Sequence, residues 1–222
     1  MTTIISLYLN KRNQIMILSD TKHSYEDGPI EDTKIKIFNG ILFCGAGNDD
    51  SIGQIHRKIK NQTNIDSCSE EIVKIKQDNK NSLLNETTKS AGENLMDTEF
   101  FIIDTKQIKG NKIRNININE VGDFEIIGSG IKRITDIQEI FRGYSERTFS
   151  DVTKKAFFRE IISVFLNIAK FDQNTGHPSI FPIEVFILEK DKSPKKYVLK
   201  FDKELLKNPD NYDPKEEEIK ND

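Results

Sequence analysis

The sequence opens Met1-Thr2-Thr3-Ile4, and Thr2 is the first residue with distinctive chemistry. A threonine hydroxyl is a poor nucleophile at neutral pH unless a base lies within reach. Removal of Met1 would give Thr2 a free α-amine of pKa about 7.7–8.0, joining nucleophile and base in one residue. A small second residue is what that removal generally requires, so exposure of Thr2 is expected. Further along, Asp20 follows the apolar run Ile15-Met16-Ile17-Leu18, at a strand end where a carboxylate can stay partly solvated. Lys34 and Lys36 share strand parity and so one face, with Ile35 and Ile37 on the other. Gly47 ends the run Cys44-Gly45-Ala46-Gly47 just before a polar helix start, where a backbone N–H with no intruding side chain can stabilise an oxyanion. Ser129 sits in a Gly-Ser-Gly at 128–130, and Asp172 and Thr175 sit in DQNTG at 172–176. Each has an ordinary explanation as well: a strand Thr, a turn Asp, a solvated Lys, a flexible Gly.

Other chemistries find less support. His23, His56 and His177 show no metal-ligand spacing, so no metal is expected. Cys44 and Cys68 are the only cysteines, neither is flanked like a nucleophile, and Cys44 within ILFCG reads as a small core residue. The stretch GAGNDDSIG lacks the lysine of a phosphate-binding loop, and no cofactor is expected. Hydrophobic residues make up 36% and charged residues 31%, with a net charge of -3, which argues against a general nucleic-acid or membrane-surface binder. No apolar stretch approaches the roughly 20 residues that span a bilayer, and the start lacks the layout of a signal peptide. A soluble, cytoplasmic protein in a reducing setting is the expectation.

The elements that must position these residues follow from periodicity. Ile5, Leu7 and Leu9 alternate with Ile4, Ser6 and Tyr8, and 10–13 reads as a hairpin turn into a second strand. A second hairpin runs through TKIKIF and ILFC, with Asn39-Gly40 suited to a type I′ turn. Helical spacing begins near Asp50 with Ile52, Ile55 and Ile59, and a second, weaker helix is expected from Ser69 to about Leu84. Residues 85–94 read as a polar loop. Strands return in TEFFIIDTKQIKGNKIRNININE with a turn expected around Gly110. A helix carrying Ile134, Ile137 and Ile140 follows, then a very apolar helix over Val152–Phe171 that must be covered on more than one side. FPIEVFILEKD and KKYVLKF return to strand. Residues 202–222 are highly charged and read as a surface or disordered tail behind a domain of residues 2–201. Strands, two helices, strands, two helices and strands again fit an α+β layering better than a doubly wound sheet.

In order and separation these residues resemble the proteasome β-subunit and HslV-like N-terminal-nucleophile threonine hydrolases. MTTIISLYLN is similar to the start of HslV. Asp20, Lys34, CGAG ending at Gly47, the GSG, and DQNTG match that family's motif order over about residues 2–200. The resemblance implies a four-layer αββα sandwich of two antiparallel sheets flanked by helices. It assigns Thr2 as nucleophile, and Asp20 paired with Lys34, with Lys36 as the fallback. Gly47 becomes the oxyanion donor, while Ser129, Asp172 and Thr175 form the support around the terminal amine. Ser24 falls where the family has a hydroxyl that touches substrate backbone. Thr175 stands where Ser is frequent. His177 departs from the pattern, in which a second Gly commonly follows.

The implied activity is endopeptidase action on peptides or unfolded proteins by a homo-oligomeric ring, with an ATP-dependent unfoldase as an expected partner. Neither nucleic acid nor membrane is expected as a partner. Two rival readings keep the fold: a catalytically silent ring or scaffold subunit, and an amidohydrolase acting on a small amide.

Overall fold

A computed structural model describes residues 3–25, 28–31, 33–82, 95–129, 134–173, 175–201 and 213–219. Thr2, Gly130 and the expected loop at 85–94 lie outside the described residues.

The chain is a mixed α+β protein whose described residues form two large antiparallel sheets, a two-stranded ribbon and four α-helices. β1 (Thr3–Leu9) and β2 (Gln14–Asp20) make the opening hairpin. β3 (Lys22–Tyr25) and β4 (Gly28–Glu31) form the ribbon. β5 (Ile35–Phe38) and β6 (Ile41–Ala46) turn at Asn39-Gly40, where φ is +49° and +78° in turn, as a type I′ turn requires. α1 (Asp49–Ile59) and α2 (Ile65–Ser82) follow. Then come β7 (Glu99–Asp104), β8 (Lys109–Arg114), β9 (Asn117–Glu120) and β10 (Phe124–Gly128). α3 (Ile134–Ile140), α4 (Lys154–Phe171), β11 (Ile183–Glu189), β12 (Lys195–Leu199) and β13 (Glu216–Glu217) complete the order.

One sheet runs β10-β1-β2-β11-β12-β13 and the other β5-β6-β7-β8-β9. Side chains alternate across each strand, so each sheet offers an apolar set to both faces. Ile4, Tyr8, Ile15, Ile17, Phe186 and Leu188 of the first sheet meet Ile35, Ile37, Leu42, Cys44, Phe101 and Ile103 of the second in one buried cluster. The opposite face of the first sheet, with Ile5, Leu7, Leu18 and Val185, packs on α3 and α4 through Ile137, Phe157, Ile161 and Phe165. The outer face of the second, with Phe43, Phe100 and Ile102, packs on α1 and α2 through Ile55, Ile59, Cys68 and Ile72. Burial of that kind stabilises by about 25 cal/mol per Å² of apolar surface, and it holds the two sheets against each other.

The wide apolar arc of α4 is covered as its composition demands: by the sheet, and by the segment 141–149. The Tyr144 ring lies 5.2 Å from Phe157, and Phe149 lies 5.7 and 5.6 Å from Phe157 and Phe158.

Three details differ from the sequence reading. The turn between β7 and β8 falls at 105–108, and Gly110 sits inside β8 opposite Ile103. A Cβ on Gly110 would meet Ile103 Cγ1 at 2.8 Å, so this glycine permits close packing rather than a turn. The β3–β4 ribbon has no counterpart in the sequence reading. Finally, residues 213–219 of the charged tail lie against the domain: β13 pairs with β12, and Ile219 packs against the cluster between the sheets.

Candidate functional site

Asp20 ends β2 and is fully buried, against the partly solvated position expected of it. Burial of a carboxylate is costly unless donors replace the lost water. Four do so: Oδ2 accepts the Thr3 N–H at 3.0 Å, and Oδ1 accepts the Lys34 ammonium at 3.1 Å, the Lys22 N–H at 3.1 Å and the Gly176 N–H at 3.2 Å. These donors come from the chain start, the approach to β5, β3, and the loop after α4. One carboxylate therefore gathers three separate segments besides the adjacent start of β3.

Lys34 precedes β5 and is 5% exposed. Burial pushes its pKa below the ordinary lysine value, and the neighbouring Asp20 carboxylate opposes that shift. Lys36 is half-buried on β5 and borders a cavity of about 340 Å³ with Lys196 and Glu217. Of the two candidate lysines, it is Lys34 that meets Asp20.

A hydroxyl relay runs beside this pair. Thr175 donates to Asp172 Oδ2 at 2.7 Å, which leaves its oxygen to accept from the Thr3 hydroxyl at 2.7 Å. Both threonines are buried, Thr3 fully and Thr175 at 3% exposure. His177, the departure from the family motif, is exposed and turned away: its Nδ1 lies 2.7 Å from Ser179 Oγ, and its carbonyl accepts from Ile180 and Phe181. The loop therefore keeps Thr175 and Gly176 against Thr3 and Asp20 despite the histidine.

Gly47 follows β6 with φ +151°, in the half of backbone space that L side chains avoid. A Cβ there would lie 2.5 Å from Thr98 Oγ1 and 2.7 Å from Thr98 Cα. Thr98 is fully buried, and its hydroxyl accepts the Asn48 N–H at 3.3 Å. Asn48 in turn caps α1 by accepting the Ser51 N–H at 2.9 Å. Strand end, glycine and helix start thus form one fixed turn.

Ser129 is buried at the end of β10, one residue beyond Gly128, the register partner of Thr3. Ser24 lies on β3 opposite Pro29, with its side chain outside the described residues. Thr2, the expected nucleophile, also lies outside them.

Thr3, Gly176, Thr98 and Glu99 are the contacts that sequence reasoning missed. Thr3 carried a signal, the strand parity that groups it with Ile5 rather than Ile4. Gly176 lay within the quoted DQNTG. Thr98 and Glu99 carried none, because their partners are far away in sequence.

Among the described residues no cluster of His, Cys, Asp or Glu could hold a metal ion. Burial pushes the Cys44 thiol pKa up, and that of Cys68 up to about 11, so both behave as packed core groups. Among the described residues no helix is long and apolar enough to cross a membrane.

No family model matches the chain, and no curated protein matches it in sequence.

Proposed function

We propose that this chain is a threonine-type peptidase of the N-terminal-nucleophile class, with Thr2 as the nucleophile once Met1 is removed. The observation that supports this reading best is the convergence on Asp20. Lys34, Thr3 and Gly176 come from three segments that the sequence marks separately, and all three donate to the one buried carboxylate. The αββα sandwich of the class is compatible with two antiparallel sheets packed face to face and helices on their outer faces.

In the proposed reaction the Thr2 α-amine takes the hydroxyl proton as Thr2 Oγ attacks a peptide carbonyl. Lys34, held by Asp20, supplies a nearby positive charge that favours the developing alkoxide. The Gly47 N–H stabilises the oxyanion. The tetrahedral intermediate collapses to an ester on Thr2, and the amine leaves with the transferred proton. Water then attacks the ester, its proton passes to the α-amine, and the acid product departs as Thr2 regains its hydrogen. Ser129, Asp172 and Thr175 orient the amine, and Ser24 touches the substrate backbone. Assembly into a homo-oligomeric ring served by an ATP-dependent unfoldase belongs to the same proposal.

Incubation of the full chain with an unfolded protein tests it. Release of short peptides that stops in Thr2→Ala is the expected result. Hydrolysis of small amides without peptide release would favour the amidohydrolase reading instead.

A further inference from the structure

The last rung of the β1–β10 ladder pairs Thr3 with Gly128, and both N–H groups there donate to carboxylates. Thr3 N–H goes to Asp20, and Gly128 N–H goes to Glu99 Oε2 at 2.8 Å. Glu99 is the first residue of β7, so this bond crosses from one sheet to the other. Its other oxygen, Oε1, accepts from Arg114 Nε on β8, and its side chain is only 12% exposed.

The residue before it makes matching contacts on the opposite side. Thr98 packs on the Gly47 Cα and accepts the Asn48 N–H, and its carbonyl accepts from the buried Lys76 ammonium of α2. Two consecutive residues thus hold the Gly47 turn and the end of β10 at Gly128 at once. Gly128 has φ +87°, a conformation open to glycine and disfavoured for other L residues.

We propose that Glu99 is a positioning residue for the site described above, fixing Ser129 in the first sheet relative to the Gly47 N–H in the second. The inference rests on the proposed function, because Ser129 and Gly47 matter to chemistry only under that reading. A charged side chain suits this role, since a carboxylate clamped by Arg114 gives a short, directional bond that a neutral group would hold less firmly. Misplacement of a supporting group by about 1 Å can cost on the order of 100-fold in rate, so a lost tether is readable in kinetics without loss of fold.

The test compares Glu99→Ala and Glu99→Gln with wild type, all as the full chain. The readout is the rate of acylation by a peptide β-lactone, separated into the saturating rate and the half-saturating concentration, on protein whose folded fraction is measured by circular dichroism. Glu99→Ala is expected to lower the saturating rate by at least about tenfold with the half-saturating concentration unchanged. Glu99→Gln is expected to recover part of that rate, because its amide oxygen still accepts from Gly128 while the charge and the Arg114 bond are lost. A saturating rate in folded Glu99→Ala equal to wild type would overturn the proposal.

If wild type is not acylated, the peptidase reading fails separately, and the catalytic role of Glu99 fails with it. Amide hydrogen exchange then tests the tether alone. Faster exchange at Gly128 in Glu99→Ala, with Ile126 unchanged, keeps the link between the sheets; unchanged exchange at Gly128 removes it.

Discussion

The Lys34 ammonium and the Asp20 carboxylate lie 3.1 Å apart with side-chain exposures of 3% and 0%, sealed from solvent at the strand end beside Thr3. A pair so buried has little freedom to be incidental. Its desolvation must be offset by geometry, and its loss must leave a charge stranded.

Asp20→Ala is therefore expected to destabilise the protein by about 3–5 kcal/mol, the usual cost of removing one partner of a buried pair. Chemical denaturation against wild type measures it. Replacing both residues, as in Asp20→Ala with Lys34→Met, is expected to cost less than the sum of the two single changes, since the stranded charge is gone.

The pH dependence of kcat/KM follows from the same pair. An acid limb is expected where the Thr2 α-amine takes up a proton, because Thr2 needs that amine neutral to act as base. The alkaline limb is expected below the roughly 10.4 of a free lysine, because burial lowers the Lys34 pKa and deprotonation removes its positive charge. A pH–rate profile on a peptide substrate reads both limbs. In an active Lys34→Arg the alkaline limb is expected to move upward, since a guanidinium stays charged.

Gly47→Ala places a methyl group 2.5 Å from Thr98 Oγ1 at a φ that alanine disfavours. The backbone strain alone is expected to cost about 1–3 kcal/mol. Thermal unfolding shows this loss, and peptide hydrolysis is expected to fall further than stability does, because the displaced N–H is the proposed oxyanion donor.

Lys76 offers a stability test independent of catalysis. It is buried, its ammonium donates to the Thr98 and Met96 carbonyls, and burial lowers its pKa to about 8 despite Glu99 and Asp97 nearby. In the unfolded chain the value is about 10.4. Between about pH 8 and 10.4 the unfolded state binds more protons, so the Lys76 contribution to stability rises with pH across that window. Denaturation of wild type and Lys76→Met at pH 7 and pH 10 checks it: the stability difference is expected to shift toward wild type at the higher pH.

Much of this arrangement is legible in the sequence. Alternation set the strands, and the i, i+3, i+7 spacing of Ile52, Ile55 and Ile59 set α1, since those patterns follow from which face each residue buries. Asp20 and Thr175 were legible as candidates through the motif order. Strand parity alone did not separate Lys34 from Lys36, because it gives both the same face, and only the motif resemblance preferred Lys34; the physical difference is that Lys34 precedes β5 and reaches the end of β2. Glu99 was silent for a related reason. A glutamate opening an apolar strand reads as its solvated edge, and only the packing of β10 against β7 across the two sheets brings Gly128 to it. Tail residue Ile219 was hidden among charges, although one apolar side chain suffices to pack against the cluster between the sheets.

The most direct measurement is intact mass of the full chain after incubation with a peptide β-lactone, with the adduct mapped to a residue and Thr2→Ala as control. Loss of Met1, one adduct per chain on Thr2, and none in Thr2→Ala is the expected result. A chain that has lost Met1 yet remains unmodified, or one modified elsewhere, would contradict the assignment of Thr2 as nucleophile.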